Sequence, residues 1–442
     1  MGFGFLGDAR LPQRRDWLLD RVVETGSIVM KRVGGSRAGE MAGHRFISHE
    51  AVTPHSILGD VYARTAAACA GADVLAVQDT SEVNFSGREL GRTGLGPGGD
   101  GKSAGFFIHP VLAVDAASGA MLGLVHAHIW TRGPDKAASR RSRPFADKEA
   151  ARWRDGMDAA AASLCGAARV TVVGDRESDI YPVFAARPAG VDLLVRAAQN
   201  RSLAGGGLLF EAAAAFEPRV CALVDHVPRA PGEKPQRLNL HLSAGRVEIS
   251  RPAAAGKDGP ASVSLNLVVA EEKGGGVIWR LVTTLPIDTP EDLIAIVGRY
   301  KLRWRIEETF RALKRGGLGL EDSQAETAHR LFNVAAIALA AAVRVIQLTD
   351  ARDGSARPAS DVIAEQDLPA ALAIGRSLER NTERQTNPHP ETSLAHIAWI
   401  AARLGGWNCY GKPPGPKTMA HGWKSLMLML QGAAIAKAEA LV

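Results

Sequence analysis

The sequence predicts an α/β protein in which a core of strands and helices carries a β-strand insertion and is flanked by helical amino- and carboxy-terminal regions. Three observations predict it. Short apolar runs of strand character alternate with helix-like runs from about residue 71 to 200, and a Gly- and Pro-rich strand-like stretch follows from about 200 to 280. Helix-like apolar spacing fills residues 10–70 and resumes at about 290.

In chain order, "RDWLLDRVVETG" and "ILGDVYARTAAACAG" give helices within residues 1–70. "DVLAVQDT" at 73–80 is an apolar strand ending in Asp79, and "FFIHPVLAVDAASGAMLGLVHAHIW" reads as two strands around a Ser-Gly turn. "RVTVVGDRESD" is a further strand ending at Asp175, and "VDLLVRA" is one more. "HLSAGRVEIS" and "ASVSLNLVVAEEKGGGVIWRLVTTLP" belong to the insertion. A linker at about 351–392 leads to a helical tail, so the expected divisions are 1–70, 71–350 and 351–442.

Composition narrows the function. With 46% hydrophobic and 23% charged residues the chain is globular rather than disordered. A net charge of +6 permits an acidic partner such as nucleic acid, and the excess is concentrated locally. Between 299 and 315, Arg299, Lys301, Arg303, Arg305, Arg311, Lys314 and Arg315 face only Glu307 and Glu308. Cys69, Cys165, Cys221 and Cys409 show no zinc-ligand spacing and are expected to be reduced core residues. The start has no apolar signal segment, and "VAAIALAAAVRVIQL" at 334–348 is short for a membrane span and is interrupted by Arg344, so a cytoplasmic protein is expected.

Asp79 and Asp175 each end an apolar strand, where α/β sheets place functional groups. Neighbouring strand ends would bring them together, and a divalent cation such as Mg²⁺ would keep both ionised. Each also suits a helix N-cap or a turn. Tyr300, Arg303, Glu307, Arg311 and Lys314 are spaced by three, four, four and three residues, which stacks them on one helix face. Leu302, Ile306, Phe310 and Leu313 make the neighbouring docking stripe. A carboxylate among cations suits a metal ligand beside phosphates. An exposed helix with i,i+4 ion pairs explains the same spacing.

Tyr300, Arg303, Glu307 and Lys314 reproduce a Y-(2)-R-(3)-E-(6)-K signature, with "VQDT" around Asp79 and "VGDRESDIY" around Asp175. In these motifs the chain resembles the DDE transposases of bacterial insertion sequences. The similarity runs from "LGDAR" and "HRFISHE" to "ARLGGW" and "GWKSLMLML", nearly the whole chain.

The resemblance implies a ribonuclease-H-like core in which Asp79, Asp175 and Glu307 bind two Mg²⁺ ions, with Mn²⁺ as a substitute. It implies nicking at the transposon end, hairpin formation, hairpin opening and strand transfer. The partners are double-stranded DNA at terminal inverted repeats, target DNA and a second copy of the chain, in a bacterial cytoplasmic protein that joins the nucleoid when bound to DNA. Tyr300, Arg303 and Lys314 would hold DNA phosphates, with Arg311 and Arg196 as further candidates. Trp279 would stack on a flipped base, although its strand also suits a core Trp. The chain begins just before "LGDAR", implying a shortened or absent first DNA-recognition helix, and Phe310 stands where the family has a histidine.

Three rival functions remain at this level. "GPGGDGKS" at 96–103 fits G-x-x-x-x-G-K-[ST], but a strand-like run follows it where a phosphate-binding loop needs a helix, so a hairpin loop is expected. A metal-dependent nuclease without transposition, or a DNA-binding and dimerising regulator, would share the other features.

Overall fold

Helix signals near the amino terminus act where the spacing places them. The computed structural model describes residues 8, 10–85, 92–101, 103–133, 145–226, 236–256, 259–314, 318–355 and 357–439. Parts of "LGDAR", Lys102 of the glycine-rich run and Arg315 of the basic run lie outside them. Helices α1 (Arg10–Thr25), α2 (Met30–Gly34), α3 (Arg37–Ser48) and α4 (Pro54–Ala68) form the first region. Ser36 caps α3 by accepting from the Gly39 N–H. Thr53 and Ser56 form a reciprocal capping box on α4, with Pro54 at its first position.

The strands are β1 (Asp73–Gln78), β2 (Ser81–Asn84), β3 (Gly96–Pro97), β4 (Ala104–Asp115), β5 (Met121–Trp130), β6 (Arg169–Gly174), β7 (Val191–Arg196), β8 (Pro218–His226), β9 (Gln236–Ser250), β10 (Ser262–Glu272) and β11 (Ile278–Thr283). They form one mixed sheet ordered β2-β4-β1-β6-β7-β11-β10-β9-β8, with β3 and β5 also paired to β4. β1, β6 and β7 run parallel, as strands linked by helical crossovers do. The insertion therefore extends the central sheet, joined through only three residue pairs between β11 and β7. The glycine-rich run enters β4 as an antiparallel turn, with Gly98 N–H donating to the Ser103 carbonyl at 2.7 Å. No helix follows it, as the hairpin expectation required.

Alternation along β1 divides the core. Val74 and Ala76 join the cluster containing Trp153, Met157 and Tyr181, from α5 (Arg152–Ser163) and α6 (Tyr181–Ala185). Leu75 and Val77 join the opposite cluster, which also takes in the amino-terminal helices and the later helices. These are α8 (Pro290–Lys301), α9 (Arg305–Leu313), α10 (Ala328–Ala351), α11 (Leu368–Leu378), α12 (Leu394–Leu404) and α13 (Pro416–Glu439); the short α7 (Leu209–Ala214) lies in the insertion. The result is the mixed sheet-and-helix architecture of a ribonuclease-H-like core.

Four sequence expectations need correction. The stretch from Tyr300 to Lys314 is not one helix: a 3₁₀ turn over Leu302–Trp304 separates α8 from α9, and Lys314 lies just beyond the last turn. The apolar run at 334–348 is the middle of a 24-residue helix that has the length and composition to cross a membrane, yet 83% of its apolar window is buried inside the protein. Arg344 does not break it, because its guanidinium pairs with Asp20 at 3.7 Å and lies over the Trp423 ring. The linker at 351–392 contains α11, and Pro358 bridges to Ser393. Cys165 and Cys221 are exposed, while only Cys69 and Cys409 are buried; all four are free thiols.

The last helix closes the core. α13 packs on α1, α10 and α12, burying Met419, Trp423, Leu426 and Leu430.

Candidate active site

The position of Asp79 follows from a proline on the neighbouring strand. β1 and β2 pair with β4 in one continuous register, Gln78 with Val111 and Ser81 with Ile108. Between them, Asp79 and Thr80 stand opposite Pro110 and His109. Pro110 has no N–H to give the ladder, and pairing lapses there. The pleat then sends Asp79 to the side of Leu75 and Val77, where α8 and α9 pack.

Asp175 follows by register. Val77 pairs with Val173 across the parallel β1 and β6, so Asp79 and Asp175 leave adjacent strand ends on the same face. Asp175 also caps the 3₁₀ turn Arg176–Ser178, its Oδ1 accepting from the Glu177 N–H at 2.8 Å. The capping role weighed in the sequence is real. Asp79 Oδ1 accepts from the Thr80 N–H at 2.7 Å.

Helix α9 crosses this face because Ile306, Phe310 and Leu313 are buried in the core beneath it. Glu307 is thereby turned toward Asp79. With Arg311, Lys314, Trp304 and Glu321 the two carboxylates line a cleft of about 570 Å³. Phe310 also borders it from the apolar side.

Arg303 is almost fully buried and joins the carboxylates: Nη1 is 2.8 Å from Asp79 Oδ2, and Nη2 is 3.6 Å from Glu307 Oε1. The i,i+4 ion pair expected of an ordinary helix thus forms here. Burial opposes the Arg303 charge, but Tyr300, Asp79, Glu307 and Asp175 together raise its pKa. The Asp79 carboxyl is pushed up to about 7, first by burial and then by the Asp175 charge, with Arg303 pulling the other way and Glu307 adding to the rise. Lys314 is lowered by burial against the pull of Glu321, Glu82 and Glu307.

Among the described residues, no group of three or more His, Cys, Asp or Glu is drawn close enough to hold a metal ion in this arrangement. The donor set nevertheless fits a hard divalent cation. Burial first and then the neighbouring Asp175 and Glu307 charges raise Asp79, and a cation held here would offset both the lost solvation and the repulsion. In this structure Arg303 supplies the positive charge at Asp79.

The other candidates separate into two groups. Arg311 is exposed in the cleft beside Lys314. Tyr300 is buried on α8, where its ring meets Trp279 edge-on at 5.7 Å between centroids and its hydroxyl bonds Arg196. Burial raises the Tyr300 pKa. Arg196 also donates to the Ile278 carbonyl at 3.2 Å. Trp279 and Arg196 therefore gather on Tyr300, and neither lines the cleft.

Not every cation near Glu307 belongs to a phosphate clamp. Arg299 pairs with Asp73 at 2.6 Å, fastening α8 to the start of β1, and Arg305 pairs with Glu308 and Asp350. Glu308 is the ion-pair partner that its position on the helix predicts. Sequence reasoning passed over Thr80, His109, Arg152 and Glu177, which surround the two aspartate turns. The one available signal was a histidine followed by proline inside an otherwise apolar strand, "FFIHPVL".

Residues 88–344, more than half of the chain, match the family model described as "Transposase DDE domain". The matched span contains Asp175 and Glu307 and begins beyond Asp79.

Proposed function

Because the chain belongs to the DDE transposase domain family, whose members are nucleic-acid-cleaving transposases that use divalent metal ions, we propose that it moves an insertion sequence by cut-and-paste transposition, with Asp79, Asp175 and Glu307 as its catalytic carboxylates. The observation that carries this reading is the meeting of Asp79 and Glu307 in one cleft, with Asp175 leaving the adjacent strand end on the same face. The similarity of motifs along the chain to the Transposon Five transposase supports a hairpin intermediate.

Two Mg²⁺ ions held by these carboxylates would activate the attacking water or 3′-hydroxyl and offset charge on the leaving oxygen. The chain's own residues do the rest. Arg311 and Lys314, at the cleft, engage nonbridging phosphate oxygens. Arg303, once drawn from Asp79, joins them, and Tyr300 fixes the turn that carries it. Trp279 and Arg196 support Tyr300, with Trp279 offering a ring to an unstacked base. Residues 1–70 contribute to recognition of terminal inverted repeats, and 351–442 contribute to the homodimer that pairs two ends.

The test is incubation with Mg²⁺, or with Mn²⁺ in its place, and DNA bearing the element's terminal repeats. Hairpins and joined products are expected, and Glu307→Gln or Asp175→Asn should lower cleavage by at least about 10²-fold. Nicks alone would leave a metal-dependent nuclease. Unchanged products from both variants would remove the carboxylate assignment and favour a DNA-binding regulator.

A further inference from the structure

From Thr80, which borders the cleft, a hydrogen-bonded chain that the carboxylate chemistry does not use runs onto the α5 face of the sheet. Gln78 and Thr80 flank Asp79 and by strand alternation point away from it. Both end on one imidazole: the Thr80 hydroxyl lies 2.9 Å from Nδ1 of His109, and Gln78 Oε1 lies 3.1 Å from its Nε2.

The surroundings fix the proton positions. Arg152 Nε–H donates to Thr80 Oγ1 at 2.8 Å, which leaves the hydroxyl proton for Nδ1. Gln78 Nε2 donates to the Trp153 carbonyl at 3.1 Å, so its Oε1 accepts from Nε2–H of His109. His109 is thus neutral and protonated on Nε2. It is fully buried, edge-on to Trp153 at 4.7 Å, and burial holds its pKa well below the usual histidine range. Arg152 carries the chain onward, its Nη2 lying 2.9 Å from Glu177 Oε2, and the Glu177 N–H holds Asp175.

We propose that Thr80, His109 and Arg152 are positioning residues: His109 staples the two neighbours of Asp79, and Arg152 ties that turn to the turn of Asp175, setting the separation of the two carboxylates. The staple lies where Pro110 denies the strand its ladder bonds, so the side chains supply the order that the backbone lacks. It acts through both ring nitrogens, and one rigid ring spanning residues 78 and 80 fixes the backbone of the residue between. Asp79 and Asp175 could hold a divalent cation together only if their separation were kept to within a fraction of an ångström.

This inference rests on the carboxylate site proposed above, and the experiment separates the two. Mn²⁺ is titrated into the full-length protein without DNA, and the rise in melting temperature is followed. The same titration is then read by strand cleavage, for wild type, Thr80→Val, Thr80→Ser and Glu177→Gln. Thr80→Val keeps the shape and loses the hydroxyl, so it should need roughly tenfold more Mn²⁺ in both readouts. Its metal-free melting temperature should stay near wild type, and Thr80→Ser should behave as wild type. Glu177→Gln, on the exposed half of the tie, should shift in the same direction by a smaller factor, and it carries the test if Thr80→Val does not fold.

If Thr80→Val and Glu177→Gln match wild type, or if serine fails as badly as valine, the clamp is overturned while the site stands. If wild type shows no Mn²⁺ response that Asp175→Asn abolishes, the carboxylate site falls, and the clamp with it.

Discussion

The Arg303 guanidinium touches Asp79 at 2.8 Å and reaches Glu307 at 3.6 Å, so an internal cation stands between two of the proposed metal ligands. A metal ion bound at Asp79 would compete with this ion pair for the same carboxylate.

Replacing Arg303 should therefore move two measurements in opposite directions. Arg303→Gln is expected to lower the Mn²⁺ concentration needed for half-maximal thermal stabilisation without DNA, by about tenfold, because a competing charge is gone. The same variant should cleave terminal-repeat DNA at least about tenfold more slowly, because the proposed phosphate contact is gone. Arg303→Lys keeps the charge and should fall between in both assays.

Asp79 gives a pH signature. Its carboxyl titrates near 7 in the folded protein against 3.8 for the ordinary group. Between about pH 4 and 7 the folded state keeps a proton that the unfolded state has lost, so this group lowers stability as pH rises, fully so above 7. The deficit is on the order of 4 kcal/mol. Metal-free Asp79→Asn should then be more stable than wild type at pH 8 and converge with it near pH 4 in denaturant titrations. Added Mg²⁺ should stabilise wild type more than the variant.

The second aspartate of "DRESD" has a different role. Asp179 is buried, with Oδ1 accepting from Arg201 at 2.8 Å and Oδ2 from the N–H groups of Ala198 and Gln199 at 2.7 and 2.9 Å. Asp179→Ala leaves the Arg201 charge buried and unpaired, and should cost about 3–5 kcal/mol in urea unfolding.

At Trp279, packing and the proposed stacking on a base can be separated. Loss of the half-buried ring in Trp279→Ala should cost about 2 kcal/mol, and Trp279→Phe should recover most of it. On a terminal-repeat substrate, Trp279→Ala should nick at near wild-type rate while hairpin formation slows by about tenfold, the stacking of one base being worth about 1–3 kcal/mol. Equal slowing of both steps would assign the ring to packing alone.

Strand ends and helix faces were legible because they follow local periodicity. β1 and β6 announced Asp79 and Asp175 as the ends of apolar runs, and the spacing from Ile306 to Leu313 placed Glu307. What stayed hidden depends on partners distant in sequence. The 3₁₀ turn at Leu302–Trp304 accompanies an arginine drawn to Asp79, more than two hundred residues earlier. Arg299 and Arg305 counted toward a local excess of positive charge because Asp73 and Asp350, their partners, lie outside any local window. The ladder break beside Asp79 needed a register to relate it to Pro110.

The packing of α13 on α1 also sets an order in time. The apolar face of α1, with Leu18 and Val22, leaves the ribosome long before part of its cover, with Trp423 and Leu426. Until α13 emerges, that face and the apolar α10 lack a neighbour and are open to association with other chains. A polypeptide stopped before residue 416 would stay in that state.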